Sequence, residues 1–199
     1  RFMTSRLSSA SGPCVTTSGQ VMRGAGSPGQ QVWMGSLARS MSAPVRTTSW
    51  QGARETMAKF INAEKDEIIF TSGTTFGLNQ LAYSLSPRLT PRDNIVLTRL
   101  EHHANLIPWQ VMAKHYGFEI RFIELTKNFQ LDLESAKKLI DKNTKIVSFA
   151  LVSNVLGTVA PAAELIKLAR AVRASTIIDA SQAAAHLPID VKKLDCDWL

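Results

Sequence analysis

Two cysteines, Cys14 and Cys196, are all that the 199 residues contain. Lying so far apart, they outline neither a disulfide framework nor a set of metal ligands, and two unpaired thiols suit a reducing compartment. Long hydrophobic runs are missing as well. No stretch approaches the roughly 18 to 20 apolar residues that span a bilayer, and no N-terminal segment has the apolar core of a secretory signal. No membrane partner is therefore expected, and the expected location is cytoplasmic. Acidic residues are nearly absent from the first 60 positions, where seven Lys or Arg accompany the single acid Glu55. The remainder carries 16 basic and 15 acidic side chains, so the basic excess within the net charge of +7 belongs almost wholly to the N-terminal segment. A folded part so nearly neutral has no basic stripe of the kind that tracks phosphates, which argues against a nucleic-acid partner.

What is present is a 45% share of hydrophobic residues, enough for one domain with a sizeable core. Residues 1–47 are rich in Ser, Gly, Thr and Arg without sustained periodicity, and read as a poorly ordered or unrelated leader. Their Arg- and Ser-rich, acid-poor composition also suits a transit peptide, which would make the location organellar. From Trp50 the character changes: Ala53, Met57, Phe60 and Ile61 recur at the spacing of a surface helix. Residues 67–71 read as a buried strand, turned by Ser72-Gly73-Thr74-Thr75 into a helix that runs to about Leu85. Further strands are predicted over 94–100, 119–125 and 145–152 and from about Thr176, with helical patterns between them. Strands that are apolar almost throughout, alternating with helices, imply an α/β fold. Its sheet is mainly parallel (mixed) with helices on both faces, formed by residues 48–199.

In such sheets ligands bind beyond the carboxyl ends of the strands, and four polar segments fall there. The run Ser175-Thr176-Ile177-Ile178-Asp179-Ala180-Ser181-Gln182 ends on a carboxylate and a carboxamide. An acid where a buried strand emerges is poorly solvated and needs a cationic or hydrogen-bonding partner. Thr74 and Thr75 offer hydroxyls and backbone N–H groups at a helix N-terminus, which suits a phosphate, although small polar residues also cap helices for structural reasons alone. The segment matches neither GxxxxGK[ST] nor GxGxxG, so a nucleoside triphosphate or dinucleotide is poorly supported. His102 could stack on a flat ring or move a proton near neutral pH. A His pair such as His102-His103 is also a common surface feature, and with no further His/Cys cluster at ligand spacing no metal is expected. Asp179 could hold a protonated ring nitrogen, while Asn154 and Gln182 could reach a ring oxygen or simply close loops. Together these groups describe a pocket for pyridoxal 5'-phosphate, an electron sink in carbanion chemistry.

The segments Thr71-Ser72-Gly73-Thr74-Thr75-Phe76-Gly77-Leu78-Asn79, Glu101-His102-His103-Ala104-Asn105-Leu106-Ile107-Pro108-Trp109-Gln110, Val152-Ser153-Asn154-Val155-Leu156-Gly157-Thr158 and Ile178-Asp179-Ala180-Ser181-Gln182-Ala183 resemble, in this order, the motifs of cysteine desulfurases of the class V aminotransferase fold. The Glu-His-His-Ala-Asn and Ser-Asn-Val-Leu-Gly motifs resemble the SufS-type group, which includes selenocysteine lyases. The resemblance runs from about Trp50 to Leu199 and implies a partial large domain of a pyridoxal-phosphate-dependent aminotransferase fold. It implies that Thr74 and Thr75 bind the phosphate, that His102 stacks on the pyridine ring and takes part in proton transfer, that Asn154 and Gln182 lie near the phenolic oxygen, and that Asp179 pairs with the pyridinium nitrogen. The implied activity moves sulfur from L-cysteine to an enzyme persulfide and releases L-alanine. Its implied setting is a homodimer serving a sulfur-acceptor protein, with iron–sulfur cluster assembly as a destination.

Departures from the family pattern accompany the match. The Schiff-base lysine of the family belongs to a Ser-Gly-His-Lys motif beyond the Asp-Cys-Asp-Trp-Leu segment with which this sequence ends. Lys192 and Lys193 lie in the preceding stretch and are expected to be solvated, and neither Cys14 nor Cys196 maps onto the persulfide cysteine. The Asp-x-Ala-Ala-Thr-Thr segment that usually opens the domain is not found in residues 1–47. These departures lead to the expectation of an inactive fragment. Selenocysteine lyase, another class V enzyme, or a non-catalytic scaffold derived from the fold stand as alternatives.

Overall fold

A computed structural model describes residues 20–22 and 47–199, with side chains from Trp50 on. The expected leader therefore lies almost wholly outside the described residues. The exception is a short strand, β1 (Gln20–Met22), in a segment whose sequence pattern indicated no strand. Helix α1 (Thr47–Ile61) buries Ala58 and Ile61, one turn apart on its inner face. Where a strand from Glu67 is predicted, residues Lys65–Glu67 instead form a 3-10 turn. The physical reason is local: the Glu67 carboxylate folds back to accept the Glu64 backbone N–H at 2.7 Å. The strand is shortened to β2 (Ile69–Thr71) and pairs antiparallel with β1, outside the main sheet.

The rest alternates strand and helix as the periodicity predicts. Helix α2 (Thr74–Leu85) leads to β3 (Asn94–Thr98), α3 (Ile107–Tyr116) to β4 (Glu119–Ile123), α4 (Leu133–Leu139) to β5 (Thr144–Ala150), and α5 (Ala162–Ala171) to β6 (Ser175–Asp179). Helix α3 stops at Gly117, whose φ of +81° is the left-handed conformation that lets the last carbonyls find partners. A single turn, α6 (Val191–Leu194), precedes the final residues.

Strands β4, β3, β5 and β6 form, in that order, one four-stranded sheet in which every pairing is parallel. Alternate residues of each strand face opposite sides and feed two cores. Val96, Val147, Phe149 and Ile178 pack with α1, α4 and α5 residues such as Ile61, Ala136, Leu165 and Ala169. Ile95, Leu97, Ile146 and Ile177 pack with Leu78 and Leu81 of α2 and Trp109 and Met112 of α3. Helices therefore cover both faces, which explains why the strands read as continuous apolar runs. Beyond β6 the chain folds back beside the sheet: Trp198 bridges in parallel to Ile177, and the Asp197 carboxylate accepts the Thr176 N–H and hydroxyl at 2.8 and 2.9 Å. Among the described residues no helix is long and apolar enough to cross a membrane.

The strand order places the site. From β3 the chain moves outward to β4, then returns to the other side of β3 for β5 and β6. Connections leaving β3 and β5 thus diverge, and the divergence opens a crevice at their carboxyl ends.

Candidate functional site

That crevice holds a cavity of about 350 Å³, lined among others by Thr74, Thr75, His102, Asn154, Asp179 and Gln182. Six residues spread over 109 positions of sequence, each singled out for its chemistry, meet on one wall system. The volume lies at the lower end of what small-molecule sites enclose.

Asp179 ends β6 and is only 7% exposed. Its Oδ1 accepts the Ser181 backbone N–H at 2.9 Å and the Ser181 hydroxyl at 2.6 Å. No donor among the described residues reaches Oδ2. A nearly buried carboxylate with one oxygen left for the cavity is costly unless a cation or donor meets it there. The Ser181 hydroxyl also lies 2.9 Å from the Thr74 hydroxyl, which ties the end of β6 to the start of α2.

The start of α2 is suited to an anion. Gly73 precedes it with φ +153° and ψ +157°, a backbone conformation essentially restricted to glycine, so this turn depends on that residue. The first turn carries no acid and no side-chain cap. Backbone N–H groups and the positive end of the helix dipole therefore face the cavity together with the Thr75 hydroxyl.

His102 opens the 3-10 turn His103–Asn105, and its Nδ1 accepts the Ala104 N–H at 3.1 Å. A neutral ring so held carries its proton on Nε2, the nitrogen free to meet a ligand or exchange a proton. His103 is exposed and does not line the cavity. Asn154 stands in a loop closed by its neighbours: the Ser153 hydroxyl accepts the N–H groups of Val155 and Leu156, both at 3.3 Å, and the Gly157 N–H reaches the Ser153 carbonyl at 3.0 Å. The carboxamides of Asn154 and Gln182 are exposed to the cavity and make no hydrogen bond within the described residues. They do not serve as loop-closing groups.

Two contributors escaped the sequence reading. Ser181 is one, although it lies between the singled-out Asp179 and Gln182. Glu101 is the other, the first residue of the Glu-His-His-Ala-Asn segment. Its carboxylate sits behind His102: Oε1 accepts the Thr98 hydroxyl and the Ala150 N–H at 3.1 Å, and Oε2 accepts the Asn105 carboxamide at 2.6 Å. Burial, reinforced by the nearby charge of Asp179 and opposed by these three donors, pushes the Glu101 carboxyl up to about 7. Sequence carried the residue type but not the contacts, which come from β3, β5 and the 3-10 turn.

Among the described residues no lysine lines the cavity. Lys192 pairs with Glu64 at 2.5 Å and Lys193 with Asp190 at 3.6 Å, both on the surface. Cys196 is buried, away from the cavity lining. Among the described residues no group of three or more His, Cys, Asp or Glu could hold a metal ion.

Comparison with known proteins gives consistent matches. The family model for aminotransferase class-V covers residues 30–199. A cysteine desulfurase of Synechococcus elongatus is 43% identical over 154 residues, 76% of this chain and 25% of the relative. A probable cysteine desulfurase of Streptomyces coelicolor is 42% identical over 159 residues, 77% of this chain and 38% of the relative. Among solved structures, the apo cysteine desulfurase of Thermococcus onnurineus superposes with a TM-score of 0.73 at 40% identity, over 76% of this chain and 38% of that one. The cysteine desulfurase CsdA of Escherichia coli gives 0.71 at 31% identity, over 78% and 42%. The chain thus spans between a quarter and two-fifths of the length of these relatives.

Proposed function

We propose, because the chain belongs to the aminotransferase class-V family, that its cavity holds pyridoxal 5'-phosphate and that residues 48–199 supply the cofactor-binding part of a SufS-type cysteine desulfurase. One observation carries the reading: Thr74, Thr75, His102, Asn154, Asp179 and Gln182 line a single cavity. The chemistry of the donors fits the group, with an acid-free helix start for a phosphate at one end and a nearly buried, half-satisfied carboxylate for a protonated ring nitrogen at the other.

When bound, pyridoxal phosphate supplies an electron sink for charge that develops on the substrate. The chain's own residues prepare that sink. Asp179 Oδ2 would hold the proton on the ring nitrogen, and a carboxylate fixed by Ser181 would do so without having to reorient. Thr74, Thr75 and the first N–H groups of α2 hold the phosphate. His102 would stack against the ring, and with Nδ1 engaged by Ala104 its Nε2 would be the atom that gives or takes a proton at the substrate. Asn154 and Gln182 would donate to the ring oxygen. Together with a lysine and a persulfide cysteine these groups would move sulfur from L-cysteine to the enzyme and release L-alanine, in a homodimer that passes sulfur to an acceptor protein.

A second reading, a non-catalytic protein that keeps the pocket, is favoured by one observation, the absence of any lysine from the cavity lining among the described residues. Equilibrium dialysis separates binding from turnover. The 199-residue chain should bind about one equivalent of pyridoxal 5'-phosphate and, given L-cysteine, form no more than stoichiometric alanine. Sustained alanine production would overturn the proposed inactivity, and failure to bind would overturn the cofactor reading. In a protein that carries the lysine and cysteine, relative rates on L-cysteine and selenocysteine distinguish a desulfurase from a selenocysteine lyase.

A further inference from the structure

Glu101 does not line the cavity, yet β3, β5 and the His102 turn converge on this one carboxylate, and the last two contribute Ala150, His102 and Ala104 to the cavity lining. Thr98 is the last residue of β3. Ala150, the last residue of β5, is paired in register with Asp179 on β6, and the next N–H, that of Leu151, bonds to the Asp179 carbonyl at 2.9 Å. Asn105 belongs to the turn that His102 opens, and its Oδ1 in turn accepts the Ser148 hydroxyl at 2.8 Å and the Trp109 ring N–H at 3.2 Å. Asn105, Ser148 and Trp109 are fully buried, so each of these bonds replaces solvent that cannot reach them.

We infer that Glu101 is a positioning residue of the site: it locks the His102 turn to the strand ends that carry Ala150 and Asp179, and its negative charge helps the cavity hold a protonated pyridine ring. The inference rests on the cofactor reading above. When ionised, both carboxylate oxygens act only as acceptors, and an amide cannot reproduce both sets of contacts. In E101Q, an amide with its oxygen toward Ala150 would point its NH₂ at the Asn105 NH₂; turned over, it would point that NH₂ at the Ala150 N–H. Asp179 from β6 is the titratable group whose charge reaches Glu101, and His102 and His103 follow Glu101 directly in the chain. Of these, Asp179 acts on it by charge repulsion, and burial holds the carboxyl near about 7. The acid is thus neutral below neutrality and charged above it.

The test is the affinity for pyridoxamine 5'-phosphate, which carries the same ring and phosphate without an aldehyde that would react with surface lysines. Ring fluorescence is titrated at pH 6 and pH 8 for the parent chain, E101Q and E101Q/N105D. E101Q should weaken binding about tenfold at pH 8 and only about threefold at pH 6, where the parent's own carboxyl is largely protonated. E101Q/N105D gives the introduced amide an acceptor and returns a carboxylate to the cluster, and should recover most of the affinity at pH 8. This double variant also carries the test should E101Q fold poorly. An E101Q chain that binds as the parent does, a loss equal at the two pH values, or a double variant no better than E101Q would overturn the inference. A parent chain that binds none at either pH would overturn the cofactor reading and this inference with it.

Discussion

At the scale of single residues, Asp179 and His102 each have one polar atom engaged within the protein and another left toward the cavity. Asp179 has both Ser181 donors on Oδ1 and none among the described residues on Oδ2, so its remaining valence points to what a ligand must bring. Replacing it with Asn keeps the shape and an acceptor for Ser181 but removes the charge. D179N should therefore weaken pyridoxal 5'-phosphate binding by roughly 1.5–3 kcal/mol, about ten- to a hundredfold, as expected for a hydrogen bond to a charged group. It should leave the unfolding midpoint of the free protein almost unchanged, and equilibrium dialysis beside thermal melting reads both. Equal affinity in the two chains would remove Asp179 from the ring-nitrogen role. Gly73 is the other critical single residue. At φ +153° a Cβ is strained, so G73A should cost about 1–3 kcal/mol of stability and also misplace the phosphate-facing N–H groups.

At the scale of elements, helices end where backbone geometry says they must. Gly117 closes α3 at φ +81°, and a Cβ there would lie 3.3 Å from Pro91 Cγ. G117A combines a left-handed penalty with a tight contact and should lower stability by about 1–2 kcal/mol in urea unfolding. Gly52 lies in α1, and a Cβ added to it would meet nothing within 4 Å, so G52A should instead gain up to about 1 kcal/mol. A destabilised G52A would mean that α1 is not helical at that turn. These elements were legible in the sequence because α2, α3, α5 and the four parallel strands each repeat one period over a full segment, and a buried parallel strand is apolar whichever way its residues face. The start of β2 was not legible, because a capping contact between Glu64 and Glu67 outweighed the strand-like run that follows. The site shows the same division. Motif residues Thr74, His102, Asn154 and Asp179 could be singled out by type, whereas the Glu101 bond to Ala150 joins residues 49 apart and exists only once β3 and β5 are neighbours.

At the scale of the whole molecule, the two ends of the sheet hold carboxylates that respond to pH in opposite senses. At the amino-terminal end, Asp141 is held down at about 2 mainly by its hydrogen bond to Arg121, with the Asn143 N–H and the Asn94 amide assisting. Its folded value lies below the ordinary 3.8, so its stabilisation is present above about pH 4 and is lost as pH falls toward 2. The Asp141 side chain is 38% exposed, and solvent screening reduces that contribution to under about 1 kcal/mol. At the carboxyl end, Glu101 lies above the ordinary 4.5 at about 7, so the folded protein holds a proton that the unfolded chain releases. Its contribution is fully present below about pH 4.5 and is lost as pH rises through 7, a loss on the order of 3 kcal/mol. The combined contribution of these two carboxylates to the stability of the ligand-free protein should therefore be greatest near about pH 4 to 5 and decline toward neutrality, the range in which Glu101 acquires the charge that the bound ring nitrogen would offset. Denaturant unfolding from about pH 3 to 8 checks this: E101Q, with no proton to lose, should show a flatter profile between about pH 5 and 7.5 than the parent. Parallel profiles would mean that Glu101 ionises at its ordinary value and that the site is not tuned through it.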